Sequence, residues 1–289
     1  MKFIALLIVL ALMQYWGSSR FLHKDQWYES LLDRLADFRM PAELSLFIAT
    51  LGPAALLAWL LSLAENWLFG LFGLALNVLL LLYCFGRRDY EGLLKHYREQ
   101  CREGDFEAAF LFARQEFPAE PGEQDPADAE HLHRWMKRHL VYMGFERWFA
   151  VIFYFVLLGA PGALAYRLLH LSGELRDELE MRRLQRRVLH AVDWVPARFL
   201  VFAFALAGDY MGSREQVTSS IQNLQNSAAE TISDAAHAAL GLKSTVFSDN
   251  GDVEAFSQVS DWEIGQLQGL MARSAVAWIL VISLVVVLV

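Results

Sequence analysis

The chain has 289 residues, 55% of them hydrophobic, with 25 lysines and arginines against 33 aspartates and glutamates and a formal net charge of −8. That balance excludes a nucleic-acid binder, which needs a basic footprint. The apolar excess is blocky and excludes an ordinary soluble domain: about 20 mostly apolar residues let a helix cross a bilayer, where only an internally hydrogen-bonded backbone is tolerated.

Segment 3–16 is apolar behind Met1-Lys2 and ends in Gln14, Tyr15 and Trp16 without a small-x-small cleavage pattern. It reads as a retained anchor, with Trp16 at the interface and Arg20, His23 and Lys24 just outside. Residues 18–42 form a short amphipathic helix carrying Trp27, Leu31, Leu32, Leu35 and Phe38, ended by Pro41. Segments 44–64 and 67–85, separated by Glu65 and Asn66, make a tight antiparallel hairpin of spans, followed by the charged stop Gly86-Arg87-Arg88-Asp89. Residues 89–116 are two helices broken at Gly104-Asp105, with Asp105 as N-cap. A loop rich in proline and acid covers 118–129, and a helix over 130–143 leads into the apolar segment 149–170.

Gly159-Ala160-Pro161-Gly162 interrupts that segment and predicts a kink or break, tolerated at membrane depth only where protein covers it. The charged helix 174–192 carries Arg176, Arg182, Arg183, Arg186 and Arg187, and the apolar run 195–208 after it is short for a span. Pro196 favours a new helix start there, with Asp193 as its cap and Arg198 in its first turn. Basic residues collect on the cytoplasmic side of spans, and a full crossing by 149–170 would put those five arginines outside. The segment is therefore expected to dip in and return, or to pair with 195–208.

Residues 214–242 read as one long polar helix with a narrow stripe at Val217, Ile221, Leu224, Ala228, Ile232, Ala235 and Ala239. The stripe serves packing within the chain or a seam to a partner, including a second copy in a homo-oligomer. An apolar segment, 274–289, follows the acidic stretch 209–271. The expected fold is all-α: a polytopic integral membrane protein with broken or re-entrant helices and a cytoplasmic helical layer. A single membrane domain over 1–289 would hold apolar segments 3–16, 44–64, 67–85, 149–170, 195–208 and 274–289, with polar insertions at 86–146 and 209–271. No internal repeat is visible.

Few motifs carry chemistry. Gly241-Leu-Lys-Ser-Thr245 fails as a phosphate loop, because Leu242 separates glycine from lysine and no strand precedes it. His131, His133 and His139 are irregularly spaced for a metal site and read as solvated interfacial histidines, and Cys84 and Cys101 read as buried, unreactive thiols. No pattern specifies a metal, a cofactor or a catalytic residue. The charges at the edges of apolar segments point further. Arg88 and Asp89 follow a span, Glu146 and Arg147 precede one, Arg167 lies inside one, and His190, Asp193 and Arg198 bracket a short one. Ionisable groups at membrane depth are costly and are paired or functional, although Arg88 and Arg147 also fit simple snorkelling to headgroups.

Val188-Leu-His190-Ala-Val-Asp193-Trp194-Val-Pro196-Ala-Arg198, with the apolar start, paired central spans and apolar end in order, resembles the AmpE family. These are inner-membrane regulatory proteins of bacterial β-lactamase induction. AmpE proteins are in turn similar to the CobD/CbiB membrane proteins of cobalamin biosynthesis. Phe153-Tyr154, Gly159-Ala-Pro-Gly-Ala-Leu-Ala-Tyr166, Pro196-Ala-Arg198 and Arg88-Asp89 look like CobD/CbiB patches. Where those proteins place Lys and then an Asn-Thr-Leu-Asp-Ser run, this chain has Arg167 and then His170-Leu-Ser-Gly-Glu174. The Glu-Asn motif before Ala-Pro-Leu-Phe is also missing.

The resemblance implies a modulator in the bacterial inner membrane that links cell-wall turnover to β-lactamase expression, with the AmpD amidase as a pathway partner. Arg88, Asp89, Arg167, His190, Asp193 and Arg198 would form a ligand or partner site at the cytoplasmic face, where arginine would hold a small anionic ligand through paired hydrogen bonds. The alternative is a CobD/CbiB-like enzyme forming amides with ATP, or a related transferase.

Overall fold

The computed structural model describes residues 2–16, 23–38, 40–64, 71–85, 90–117, 125–176, 178–242 and 253–288. Among them the only regular elements are helices. Four stretches are long and apolar enough to cross a membrane: Ala42–Leu63, Ala129–Leu158, Leu179–Ala207 and Phe256–Leu284. The described residues divide into two compact units, one comprising Met1–Arg87, Glu146–Pro196 and Ile282–Val289, the other Arg88–Phe145 and Ala197–Val281. The second contains most of both polar insertions.

In the first unit, α1 (Lys2–Trp16), α2 (Gln26–Asp37), α3 (Ala42–Ala64) and α4 (Leu71–Cys84) come in chain order, then α8 (Ala150–Leu158) and α9 (Ala160–Leu175). The hub is α9, which packs against α2, α3, α4 and α8. Surrounded in this way, it buries Leu164, Leu168, Leu169 and Leu171, and also Arg167 and His170.

Between α8 and α9 the chain breaks at Gly159, whose φ of 80° is a left-handed conformation that glycine reaches without strain. Pro161 follows in the first turn of α9, where its missing N–H removes no helical bond. At Gly162 a Cβ would stand 2.4 Å from the Cβ of Leu158 and 2.8 Å from the carbonyl of Tyr154, so only glycine permits this approach. In lipid, where apolar burial alone gives no drive, close approach through small residues supplies the packing energy.

Two expected boundaries move. The apolar run after residue 149 continues α7 (Ala129–Gly144) through a π-helical turn at Phe145–Phe149, so the long apolar stretch is Ala129–Leu158 and α9 stands as a separate helix. The break expected at 192–196 does not occur. Instead α10 runs unbroken from Leu179 to Ala207 with Pro196 inside it, and Asp193 is a mid-helix residue and no cap.

The physical reason lies in the partner of one carbonyl. Proline has no N–H, so Pro196 leaves the carbonyl of Val192 without its helical donor. The Tyr154 hydroxyl donates to that carbonyl at 2.7 Å. A neighbouring side chain thus re-satisfies the freed group, as such prolines require at membrane depth.

The second unit holds α5 (Tyr90–Glu103), α6 (Phe106–Glu116), α7, α11 (Tyr210–Gln222), α12 (Ala228–Leu240) and most of α13 (Val253–Leu288). The α5–α6 break falls at Gly104-Asp105, and Asp105 caps α6 by accepting from the Ala108 N–H, as the sequence predicts. Leu94, Tyr97, Ala109, Met136, Leu140 and Ile264 share one apolar core, and Arg98 and Arg102 tie α5 to Asp261 of α13 at 2.6 and 3.0 Å. Neither cysteine forms a disulfide, and both are buried.

The long helix expected over 214–242 is two helices, because the chain turns at 223–227 and restarts with a Ser227–Glu230 capping box. Its stripe is broken accordingly. Ile221 and Leu224 are exposed, whereas Ile232, Ala235 and Ala239 are buried, and α12 packs on α7.

Candidate functional site

Buried polar side chains concentrate around α9 in the first unit. Asp193 on α10 accepts from the Tyr166 hydroxyl at 2.9 Å. His170, one turn on from Tyr166, sets its Nε2 3.0 Å from the same hydroxyl and its Nδ1 3.1 Å from Oε2 of Glu146. Asp193, Tyr166, His170 and Glu146 are therefore four titratable groups in one hydrogen-bonded series, and all are buried. Tyr154 stacks on Tyr166 with ring centroids 5.2 Å apart.

The local sequence explains this convergence. Tyr166 and His170 are four apart on a helix and share a face. Glu146 lies in the π-helical turn, where the wider turn displaces a side chain from its α-helical direction. Asp193 reaches the series from an uninterrupted α10, in which the Tyr154 hydroxyl satisfies the carbonyl that Pro196 leaves free.

Proton accounting limits the states available. With the Tyr166 proton given to Asp193, the contact from His170 Nε2 has to be donated by the imidazole. At Nδ1 two arrangements satisfy the pair: an imidazolium donating to a Glu146 carboxylate, or a neutral ring accepting from a protonated Glu146. They differ by one proton shift, so the series can relocate a proton without losing a hydrogen bond.

Arg167 is the least satisfied member of this region. It is 1% exposed, its Nε has no hydrogen-bond partner among the described residues, and its ion pair with Glu174 is long at 3.8 Å. A guanidinium presents five donors in a planar fork, and leaving them unused in a buried place is costly.

The expected site residues separate. Arg167 and Asp193 belong to this network, and His190 is half-buried one turn before Asp193 on α10. Arg198 lies in the second unit, where its Nε donates to the Ser220 carbonyl and its Nη2 to that of Asn223, both at 2.9 Å. It closes the C-terminal end of α11. Arg88 and Asp89 lie outside the described residues.

Tyr166 and His170 were visible as residues but not as a site; their four-residue spacing beside Arg167 is the signal that could have found them. The partners Glu146 and Asp193 come from other helices, and no spacing rule reaches them.

A second buried charge cluster corrects the reading of the histidines. His133 is 3% exposed; its Nε2 donates to Glu263 at 3.1 Å, while Nδ1 accepts from the Tyr97 hydroxyl at 3.1 Å. Lys137 pairs with the same Glu263 carboxylate. Burial pushes the Tyr97 hydroxyl well above its ordinary range, so it remains a donor. His131 is exposed and helps cap α7 with Asp128, and His139 packs on Trp135. Among the described residues no group of histidine, cysteine and carboxylate could hold a metal ion.

Several helices long and apolar enough to span, joined to a buried charged network, define a multi-pass α-helical membrane protein with a polar interior. The family model described as "Regulatory signalling modulator protein AmpE" matches residues 1–247, and the chain belongs to that family. No curated protein and no solved structure matches the sequence.

Proposed function

We propose that the protein modulates signalling from the bacterial inner membrane, linking cell-wall turnover to β-lactamase expression, with the AmpD amidase as a partner in the same pathway. Its working site is the network around α9, at the cytoplasmic side of the membrane. The observation that carries this reading is Arg167, a buried guanidinium whose Nε has no partner among the described residues, beside a chain of four titratable groups. An anionic group of a small ligand, or of a partner's side chain, would satisfy the guanidinium with charge-assisted hydrogen bonds. Ligand contact with Arg167 would shift the balance between its attraction to Glu174 and the proton position on the His170–Glu146 pair. The signal is then a change in how α9 packs against its neighbours.

The test is deletion of the gene in a bacterium with inducible β-lactamase, with induction and cytosolic muropeptide levels measured together. Altered induction, restored by the full chain, is expected. Unchanged induction and unchanged muropeptides would reject the pathway assignment.

A further inference from the structure

The second unit contains a cleft of about 390 Å³ between α11 and α12, remote in sequence from the α9 network. Gln216, Ser219 and Ser220 line it from α11, and Thr231, Asp234 and His237 from α12. Asn223 and Asn226 close it from the intervening turn. No lysine or arginine contributes to the lining.

The hydroxyl and imidazole donors of this lining are already used inside their own elements. Ser219 Oγ donates to the Gln216 carbonyl at 3.2 Å, Ser220 Oγ to that of Val217 at 2.8 Å, and Thr231 Oγ1 to that of Ser227 at 2.9 Å. His237 Nδ1 donates to the Ser233 carbonyl at 2.7 Å, which leaves Nε2 as a bare acceptor on the neutral ring. Asn223 Nδ2 is taken by Asn226 Oδ1 at 3.0 Å. What remains is a mixed set: the hydroxyl lone pairs, His237 Nε2, the Asp234 carboxylate and Gln216 Oε1, which is buried with no partner, accept, and the side-chain amide N–H groups of Gln216 and Asn226 donate.

Asp234 makes no hydrogen bond or ion pair among the described residues, although His237, Arg138 and Glu230 act on it through space. Asp234 and His237 are three residues apart on α12 and share a face. A cleft of hydroxyls and amides that bears one carboxylate and no lysine or arginine disfavours phosphates and carboxylates and rewards a hydroxylated ligand carrying an ammonium group.

From this complementarity we infer that the α11–α12 cleft binds a small hydroxylated molecule bearing an ammonium group, the ammonium on Asp234 and the hydroxyls on Gln216, His237 and the serine and threonine oxygens. The volume suits a monosaccharide-sized molecule. This inference goes beyond the regulatory reading and does not depend on it.

The purified full-length protein in detergent, titrated with glucosamine, glucose and glucose 6-phosphate, tests it. Glucosamine at ten times its dissociation constant raises the melting temperature by about 3 °C, glucose less, and glucose 6-phosphate not at all. Asp234→Asn, at an exposed position, keeps the unliganded melting temperature and loses the advantage of glucosamine over glucose. Gln216→Leu weakens both sugars and serves in its place if Asp234→Asn misfolds. No shift with glucosamine, an equal shift with glucose 6-phosphate, or an ammonium preference that survives Asp234→Asn would each overturn the assignment.

Discussion

The Tyr154–Val192 hydrogen bond is the point at which removal of one oxygen tests the packing logic. Tyr154→Phe keeps the ring and its stacking on Tyr166 but removes the donor to the Val192 carbonyl. Pro196 offers that carbonyl no substitute. A buried acceptor left unsatisfied costs about 1–3 kcal/mol, and hydrogen bonds measured in membrane proteins average about 0.6 with a maximum near 1.7. The bond is part-buried, so a loss of about 1 kcal/mol is expected, roughly five-fold in the unfolding equilibrium.

Pro196→Ala returns a backbone N–H to Val192, and in that background Tyr154→Phe becomes close to neutral. Denaturation of the four proteins in mixed detergent micelles gives the coupling directly. An equal cost of Tyr154→Phe in both backgrounds would show that the tyrosine acts through something other than the carbonyl freed by proline.

Other consequences are equally concrete. At Gly208 a new Cβ would stand 2.3 Å from the Ala239 carbonyl oxygen, so Gly208→Ala should destabilise by about 1–3 kcal/mol. Gly265→Ala, inside α13 where a Cβ meets nothing within 4 Å, is its control and should stabilise by about 0.5–1 kcal/mol in thermal unfolding. Glu263→Leu leaves Lys137 buried without its counter-charge and should cost about 3–5 kcal/mol, unless Lys137→Met accompanies it. Burial, helped by repulsion from Lys137, holds the His237 pKa below its ordinary value. The unfolded chain therefore takes up a proton first as pH falls below about 6.5, and stability declines from there toward the folded-state value. His237→Gln should flatten that slope in melting temperature against pH.

The sequence made the all-helical membrane character plain because long apolar runs have few alternatives in lipid. It also located the α5–α6 break and the Gly159 break, since glycine, proline and a capping aspartate act locally. The boundaries at Pro196 and in 214–242 were misplaced for different reasons. Pro196 looks like a helix start when read alone, and the Tyr154 hydroxyl that satisfies the carbonyl it frees lies 42 positions earlier in the sequence. In the other direction, the stripe on 214–242 suggested one helix, but Ser227 and Glu230 form a capping box that restarts the chain.

The candidate site was legible as charges in apolar surroundings, which identified Arg167 and Asp193. Arg198 shared that signal but is used to close α11. His133 was misread because its partners, Tyr97 and Glu263, lie 36 and 130 residues away.

The proposed function makes Arg167 the group through which the membrane protein is controlled. The most direct measurement replaces the chromosomal gene with an Arg167→Gln version and compares β-lactamase induction with that of the wild type and the deletion, at matched protein levels in the membrane fraction. Induction like that of the deletion, from protein present at wild-type abundance, is the predicted result. Wild-type induction from the Arg167→Gln protein would contradict the account.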